Sequence, residues 1–268
     1  MNATTHRSPS SPVRRLAIGV GAVIMLATIA TGTSTAIGLV AREKLTEPFT
    51  INGTVRHVVI NMDAGSVVLR GTSADGVTGT RRIERSYRAP TYSEKLDGDT
   101  LTITASCPNV FLGNFCSVVY ELAVPADVTV QAVSDGGNII SNAVTGDLDL
   151  SSSAGGIDVT GAKGRLQLSS SAGNVDVNNS RSPEVNAHSS AGDVRIELLD
   201  APTKIEADSS AGSVAVIVPR TPGGYRVDAS TSAGSESVEV DTSATSQRTI
   251  SVESSAGNVD VLYGLAAS

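Results

Sequence analysis

Two carboxylates are the first residues whose spacing could do chemistry. Asp158 lies in Ile-Asp-Val, Asp176 in Val-Asp-Val eighteen residues later, and Asp260 recurs in the same setting. In stacked strands such residues would stand one strand spacing apart, ~4.8 Å. That is close enough for a glycosidase pair or a shared calcium ion. The column breaks, however: Arg195 and Ala215 take the equivalent place in the next two copies. The reading is a solvated acidic face, with calcium binding at Asp158 and Asp176 left open and sugar cleavage ranked last.

Nucleophilic catalysis needs a base beside the nucleophile. The three histidines, His6, His57 and His188, each stand alone in the sequence, and no G-x-S-x-G elbow accompanies the many serines. A phosphate-binding loop, a G-x-G-x-x-G helix start and a metal-spaced Cys/His cluster are all missing. The expectation is a protein that is not an enzyme, with no catalytic, cofactor-binding or metal-binding residues. Cys107 and Cys116 bracket PNVFLGNF, and a disulfide closing this short loop outside the cell is the natural reading. The loop carries Phe111 and Phe115, either as an exposed contact tip or as part of a stapled hairpin over the end of a core. The hairpin reading is preferred.

What positions these residues is a repeat. Ser-Ala-Gly recurs with its glycine at Gly155, Gly173, Gly192, Gly212, Gly234 and Gly257, and degenerate copies stand at Gly65 and Gly137. From Gly137 onward the spacings are 18, 18, 19, 20, 22 and 23 residues. A period near 20 that drifts by single residues implies stacked units with joins of variable length. Within each unit, apolar residues sit seven and five before the glycine (Leu166 and Leu168, for example) and two and four after it (Val175 and Val177). Polar residues alternate between them, so each unit is two half-buried strands hinged at the glycine.

The glycine supplies positive φ at the corner, and the alanine before it points into a narrow core. The serine three before the glycine falls on the inward phase and forms an internal ladder. One strand pair cannot bury its own inner face, but several in register can. The fold class expected is all-β, a parallel β-helix or β-solenoid of about eight short rungs. Residues 71–125 depart from the period and read as an antiparallel insertion, a side lobe or cap near the N-terminal end. At Gly234 the run SAGSESVEV places two extra residues before Val238, which implies a bulge. Arg81, Arg82, Arg85 and Arg88 read as a solvated strand edge.

The composition fits this picture: 26 glycines, no tryptophan, three phenylalanines and five tyrosines leave Val, Ile, Leu and Ala to build the core. The formal net charge of -7 argues against a nucleic-acid partner. Residues 16–41 form the expected transmembrane helix, since Leu16–Val40 carries no charge and is long enough to span ~30 Å of hydrocarbon. Residues 1–15 are then a short basic cytoplasmic tail and 42–268 an exported body. A cleaved signal peptide is the alternative, and export is common to both.

The repeated S-S-A-G-[NDS]-V-x-V, at Ser170–Val177, Ser189–Ile196, Ser209–Val216 and Ser254–Val261, resembles the DUF4097 family of β-strand-repeat, adhesin-like proteins of bacterial envelopes. The likeness covers roughly residues 50–263 and implies a surface-binding role with no catalytic residues to carry over. The expected function is a non-catalytic, membrane-anchored extracytoplasmic binding module. Its partner would be an envelope polymer or surface protein. The alternative is an accessory of an envelope-stress sensing system, acting through a membrane protein partner.

Overall fold

The computed structural model describes residues 43–86, 88–108 and 115–264. The expected membrane segment and Phe111 lie outside the described residues. Among those described there is no helix, and none therefore long and apolar enough to cross a membrane. All the regular elements among the described residues are strands. It begins with β1 (Glu43–Ile51), β2 (His57–Met62), β3 (Val67–Thr72), β4 (Val77–Arg85), β5 (Thr91–Asp97), β6 (Thr100–Ser106) and β7 (Cys116–Pro125). Five two-strand units follow. They are β8 (Thr129–Ser134) with β9 (Ile139–Asn142), β10 (Leu148–Ser152) with β11 (Ile157–Thr160), and β12 (Leu166–Ala172) with β13 (Val175–Ser180). Next come β14 (Glu184–Ala191) with β15 (Val194–Leu198) and β16 (Lys204–Ala211) with β17 (Val214–Val218). The chain ends in β18 (Arg226–Thr231) with β19 (Glu236–Val238) and β20 (Thr249–Ser254) with β21 (Val259–Tyr263).

The first strand of each unit enters a 10-stranded sheet and the second an 11-stranded sheet, and the two pack face to face. Pairing between units is parallel and keeps the alignment of the repeat: Leu148 beside Leu166, Leu166 beside Val185, Val185 beside Ile205. The second sheet does the same with Ile157, Val175, Val194 and Val214. These residues are fully buried, and the polar residues between them face out. Each β-branched or leucine side chain contributes about 1.5–3 kcal/mol by leaving water, so the core is built from many small, equivalent increments.

The inward serines form a ladder of defined chemistry. Ser134 Oγ donates to the Gly65 carbonyl, Ser152 to Gly137, Ser170 to Gly155, Ser189 to Gly173, Ser209 to Gly192 and Ser254 to Gly212, at 2.8–3.1 Å. Thr231 does the same to Gly257 at 2.8 Å. Each hydroxyl thus ties its unit to the corner of the neighbouring one. Replacing buried Ser170 with Ala leaves a corner carbonyl unpaired, and a loss of about 1–3 kcal/mol is expected. The adjacent exposed Ser171→Ala should change stability by less than about 0.5 kcal/mol. Chemical denaturation of the two variants checks the contrast.

Four expectations change. The alanine before each glycine does not point inward: Ala154, Ala172, Ala191, Ala211, Ala233 and Ala256 are exposed, because the serine two residues earlier already holds the inward position. Among the eight repeat glycines only Gly65, Gly137 and Gly257 have positive φ, at 128°, 150° and 157°. The others answer a different demand, close stacking. Third, the 71–125 segment is only partly antiparallel. β4 and β5 run antiparallel and cap the end, with β1 against β4, but β6 and β7 pair parallel to β2 and β3 and add a full rung. Arg81 within it is buried, not a solvated edge residue.

The last two units also depart from sequence order. In both sheets the last unit inserts before the penultimate one: β16–β20–β18 and β17–β21–β19. The fourth change is at SAGSESVEV, which holds no bulge. Val238 stays in register with Val261, and Glu236 occupies the place of Val259. A glutamate at a core position is tolerated because β19 is the last strand, where Glu236 remains exposed. In sequence order that carboxylate would lie between Val214 and Val259, both fully buried, and burying an unpaired charge costs several kcal/mol. The swap also places Ile250 and Val252 inside and leaves the smaller, half-buried pair Val227 and Ala229 at the end.

Candidate functional site

The repeat leaves one corner uniform along the stack. Ser153, Ser171, Ser190, Ser210, Ser232 and Ser255 are exposed there, each followed by its exposed alanine. Beneath them several corner amides are satisfied by side chains of the neighbouring unit. Asn138 Oδ1 accepts from the Gly156 N–H at 2.9 Å, Asn174 Oδ1 from Asp193 at 3.0 Å, Asp193 Oδ1 from Ser213 at 2.8 Å and Asn258 Oδ1 from Ser235 at 3.1 Å. The ridge therefore offers hydroxyls and methyls in a regular row about 4.8 Å apart, on a backbone whose polar groups are already engaged.

The disulfide sits at the N-terminal end of the same ridge. Cys107 and Cys116 are bonded, with their Cα atoms 5.8 Å apart, and they close the corner between β6 and β7 where other rungs carry the Ser-Ala-Gly turn. Asp63, which stands in the column of the exposed serines, accepts from Ser106 Oγ at 2.5 Å and from the Cys107 N–H at 3.2 Å. The Phe115 N–H donates to Ser86 Oγ at 2.7 Å, and Phe115 is half-buried, not a free tip.

On the outer face of the 11-stranded sheet, Asp158 and Asp176 lie opposite each other in register, between Ile140 and Arg195. Burial, and secondly the Asp158 charge, raise the Asp176 pKa above its ordinary 3.8; Arg195 works against the rise. Two carboxylates fall short of the six to eight oxygens calcium takes. Among the described residues no group of three or more His, Cys, Asp or Glu gathers to hold a metal. Because the raised acid holds its proton in the native state above pH 3.8, stability falls as pH rises through the shifted value. Asp176→Asn should therefore gain stability over the parent at neutral pH and lose that advantage below pH 3.8. Paired melting curves across pH 3–7 measure it.

Two clusters escaped the sequence reading. In the cap, the Arg81 guanidinium donates to Glu47 and Glu94 and lies 3.6 Å from the Tyr92 ring centroid, while Tyr120 Oη donates to Glu94 at 2.6 Å. Burial works to lower the Arg81 pKa, but the two carboxylates outweigh it and hold the cation. The cluster ties β1, β4 and β7 of one sheet to β5 of the other. The second cluster is on the face of the 10-stranded sheet. There the β14–β16 register sets Asp208 beside His188, which no longer stands alone. Aligning the copies at their 20-residue offset is the signal that would have paired them.

These features define a class: a two-sheet parallel β-solenoid with a serine–glycine corner, stapled by a disulfide at one end. The chain belongs to the Toastrack DUF4097 family, whose profile matches residues 55–199 and again 122–262. No curated protein matches the chain. Among solved structures, it is similar to a candidate cell adhesion protein from Clostridium sporogenes, with 14% identity over 83% of this chain and 100% of that one, TM-score 0.38. A candidate adhesin from Bacteroides fragilis shows 14% identity over 83% and 97% of the two chains, TM-score 0.42. A candidate lipid binding protein from Parabacteroides distasonis shows 9% identity over 82% and 97%, TM-score 0.37.

Proposed function

We propose that the protein is a non-catalytic, membrane-anchored binding module of the cell envelope. Leu16–Val40 anchors it, and the solenoid is displayed outside to hold an envelope polymer or a surface protein. The observation that carries this reading is the Ser-Ala ridge, which repeats one surface chemistry along a rigid stack of parallel rungs. A stack of this kind provides an extended face suited to long or repeating ligands. The disulfide fits an oxidising compartment, and the net charge of -7 keeps the body from phosphate backbones.

In-cell cross-linking of the full-length chain, with mass spectrometry of what is captured, tests the proposal. Cross-links from wall material or surface proteins to the ridge at Ser153–Ser255 are the expected result. Ridge variants Ser171→Arg and Ser210→Arg should lose them while melting like the parent. Capture confined to the Leu16–Val40 segment, with the ridge unlabelled, would overturn it in favour of a membrane-partner role.

A further inference from the structure

We propose that Ser190 is an activated nucleophile, an acyl-acceptor site assembled on the solenoid surface by His188 and Asp208. The inference goes beyond the binding role and does not depend on it. His188 Nδ1 lies 2.5 Å from Asp208 Oδ2, and His188 Nε2 lies 3.2 Å from Ser190 Oγ. An ionised carboxylate can only accept, so Nδ1 carries the proton and donates it to Asp208. With Nδ1 donating to Asp208, the tautomer left unprotonated at Nε2 presents a lone pair to the Ser190 hydroxyl. Nucleophile, base and a third group that orients the base are thus in hydrogen-bond sequence, the arrangement that activates serine on unrelated folds.

The repeat supplies its own controls. Ser190 is one of six equivalent exposed corner serines. Two residues before the other five stand Ser151, Ser169, Asp208, Ser230 and Glu253, so only Ser190 has an imidazole at that position. The three side chains come together because neighbouring units share register: β14 supplies His188 and Ser190, and β16 places Asp208 beside His188.

The reaction is an acyl transfer from an activated ester. Ser190 Oγ bonds to the carbonyl carbon as its proton passes to Nε2, and Asp208 stabilises the imidazolium. The bond from that carbon to the leaving oxygen breaks, and the imidazolium returns the proton to the departing alcohol or phenol. The product is an ester on Ser190. The corner amides are already bonded, Gly192 N–H to the Ala211 carbonyl at 3.1 Å and Asp193 N–H to Asn174 Oδ1 at 3.0 Å. They do not converge on a developing oxyanion, so neither half-reaction is assisted there. Acylation proceeds because the phenolate of an activated ester leaves readily, whereas the alkyl ester formed on Ser190 has a poor leaving group and persists. The outcome is stoichiometric acylation at a single serine, open to bulky donors because Ser190 is exposed.

The test is to treat the full-length chain with p-nitrophenyl acetate and map acetylation residue by residue. Ser190 should be acetylated about 100-fold faster than Ser171 and Ser210, the lower end of what a positioned general base supplies. His188→Gln should bring Ser190 down to the rate of its siblings, and Asp208→Asn should slow it about tenfold. Ser171 should be unaffected in both. All three residues lie on the surface, so the variants should melt like the parent. Equal rates at Ser190, Ser171 and Ser210 would overturn the proposal, as would acetyl groups that remain on His188 without reaching Ser190.

Discussion

Gly192→Ala is expected to lose about 4 kcal/mol in denaturant unfolding, well above the usual cost of adding one methyl group. A Cβ at position 192 would stand 2.4 Å from the Gly173 carbonyl oxygen and 2.6 Å from its carbon. Both are backbone atoms of the neighbouring rung, so no side chain can swing aside. The Gly173 carbonyl also accepts from Ser189 Oγ at 2.9 Å, and any shift that relieves the clash strains that bond. The same approach recurs along the column: 2.3 Å at Gly155, 2.4 Å at Gly173 and 2.2 Å at Gly212. Gly98→Ala is the matched comparison. It sits in the β5–β6 turn at φ +62° with nothing within 4 Å of the added carbon, so only the left-handed backbone conformation is penalised, about 1–2 kcal/mol. If the two variants cost the same, close stacking is not what the corner glycines provide.

This distinction marks the limit of what the sequence reveals. Alternation around each glycine identifies the inward residues, and the units from Leu148 to Val218 pair in the register that aligning the glycines gives. Period two says which face a residue occupies, but not whether its strand runs parallel to a neighbour. That is why β6 and β7 could read as antiparallel strands when they form a parallel rung. Their corner also lacks the Ser-Ala-Gly mark, because the disulfide loop replaces it. The glycine's reason was hidden as well, since φ and interchain-style crowding between rungs select the same residue. Contacts between units, such as His188 with Asp208, need the register before they exist.

The order of the last two units has a more specific cause, and it can be tested. Glu236 and Val259 occupy equivalent positions on neighbouring strands. Whichever unit carries the glutamate must sit at the end of the stack, where the carboxylate keeps its water. Val259→Glu alone therefore places a charge on both units. It should lose about 4 kcal/mol, because one carboxylate is then buried whichever unit is inside. Adding Glu236→Val should restore most of that loss, by exchanging the units into sequence order. Strand register permits the exchange, because Lys204 and Arg226 both align with Thr249 and the two units share one register. A cysteine pair reports it. Glu206 and Asp228 flank Ser251 in the present order, two strand spacings or ~9.6 Å apart, too far for a disulfide. In sequence order they become direct neighbours at ~4.8 Å, within bonding range. With Glu206→Cys and Asp228→Cys added, the charge-exchanged chain should form the bond and the parent should not. A chain that stays unlinked and unstable would mean that something other than Glu236 sets the order.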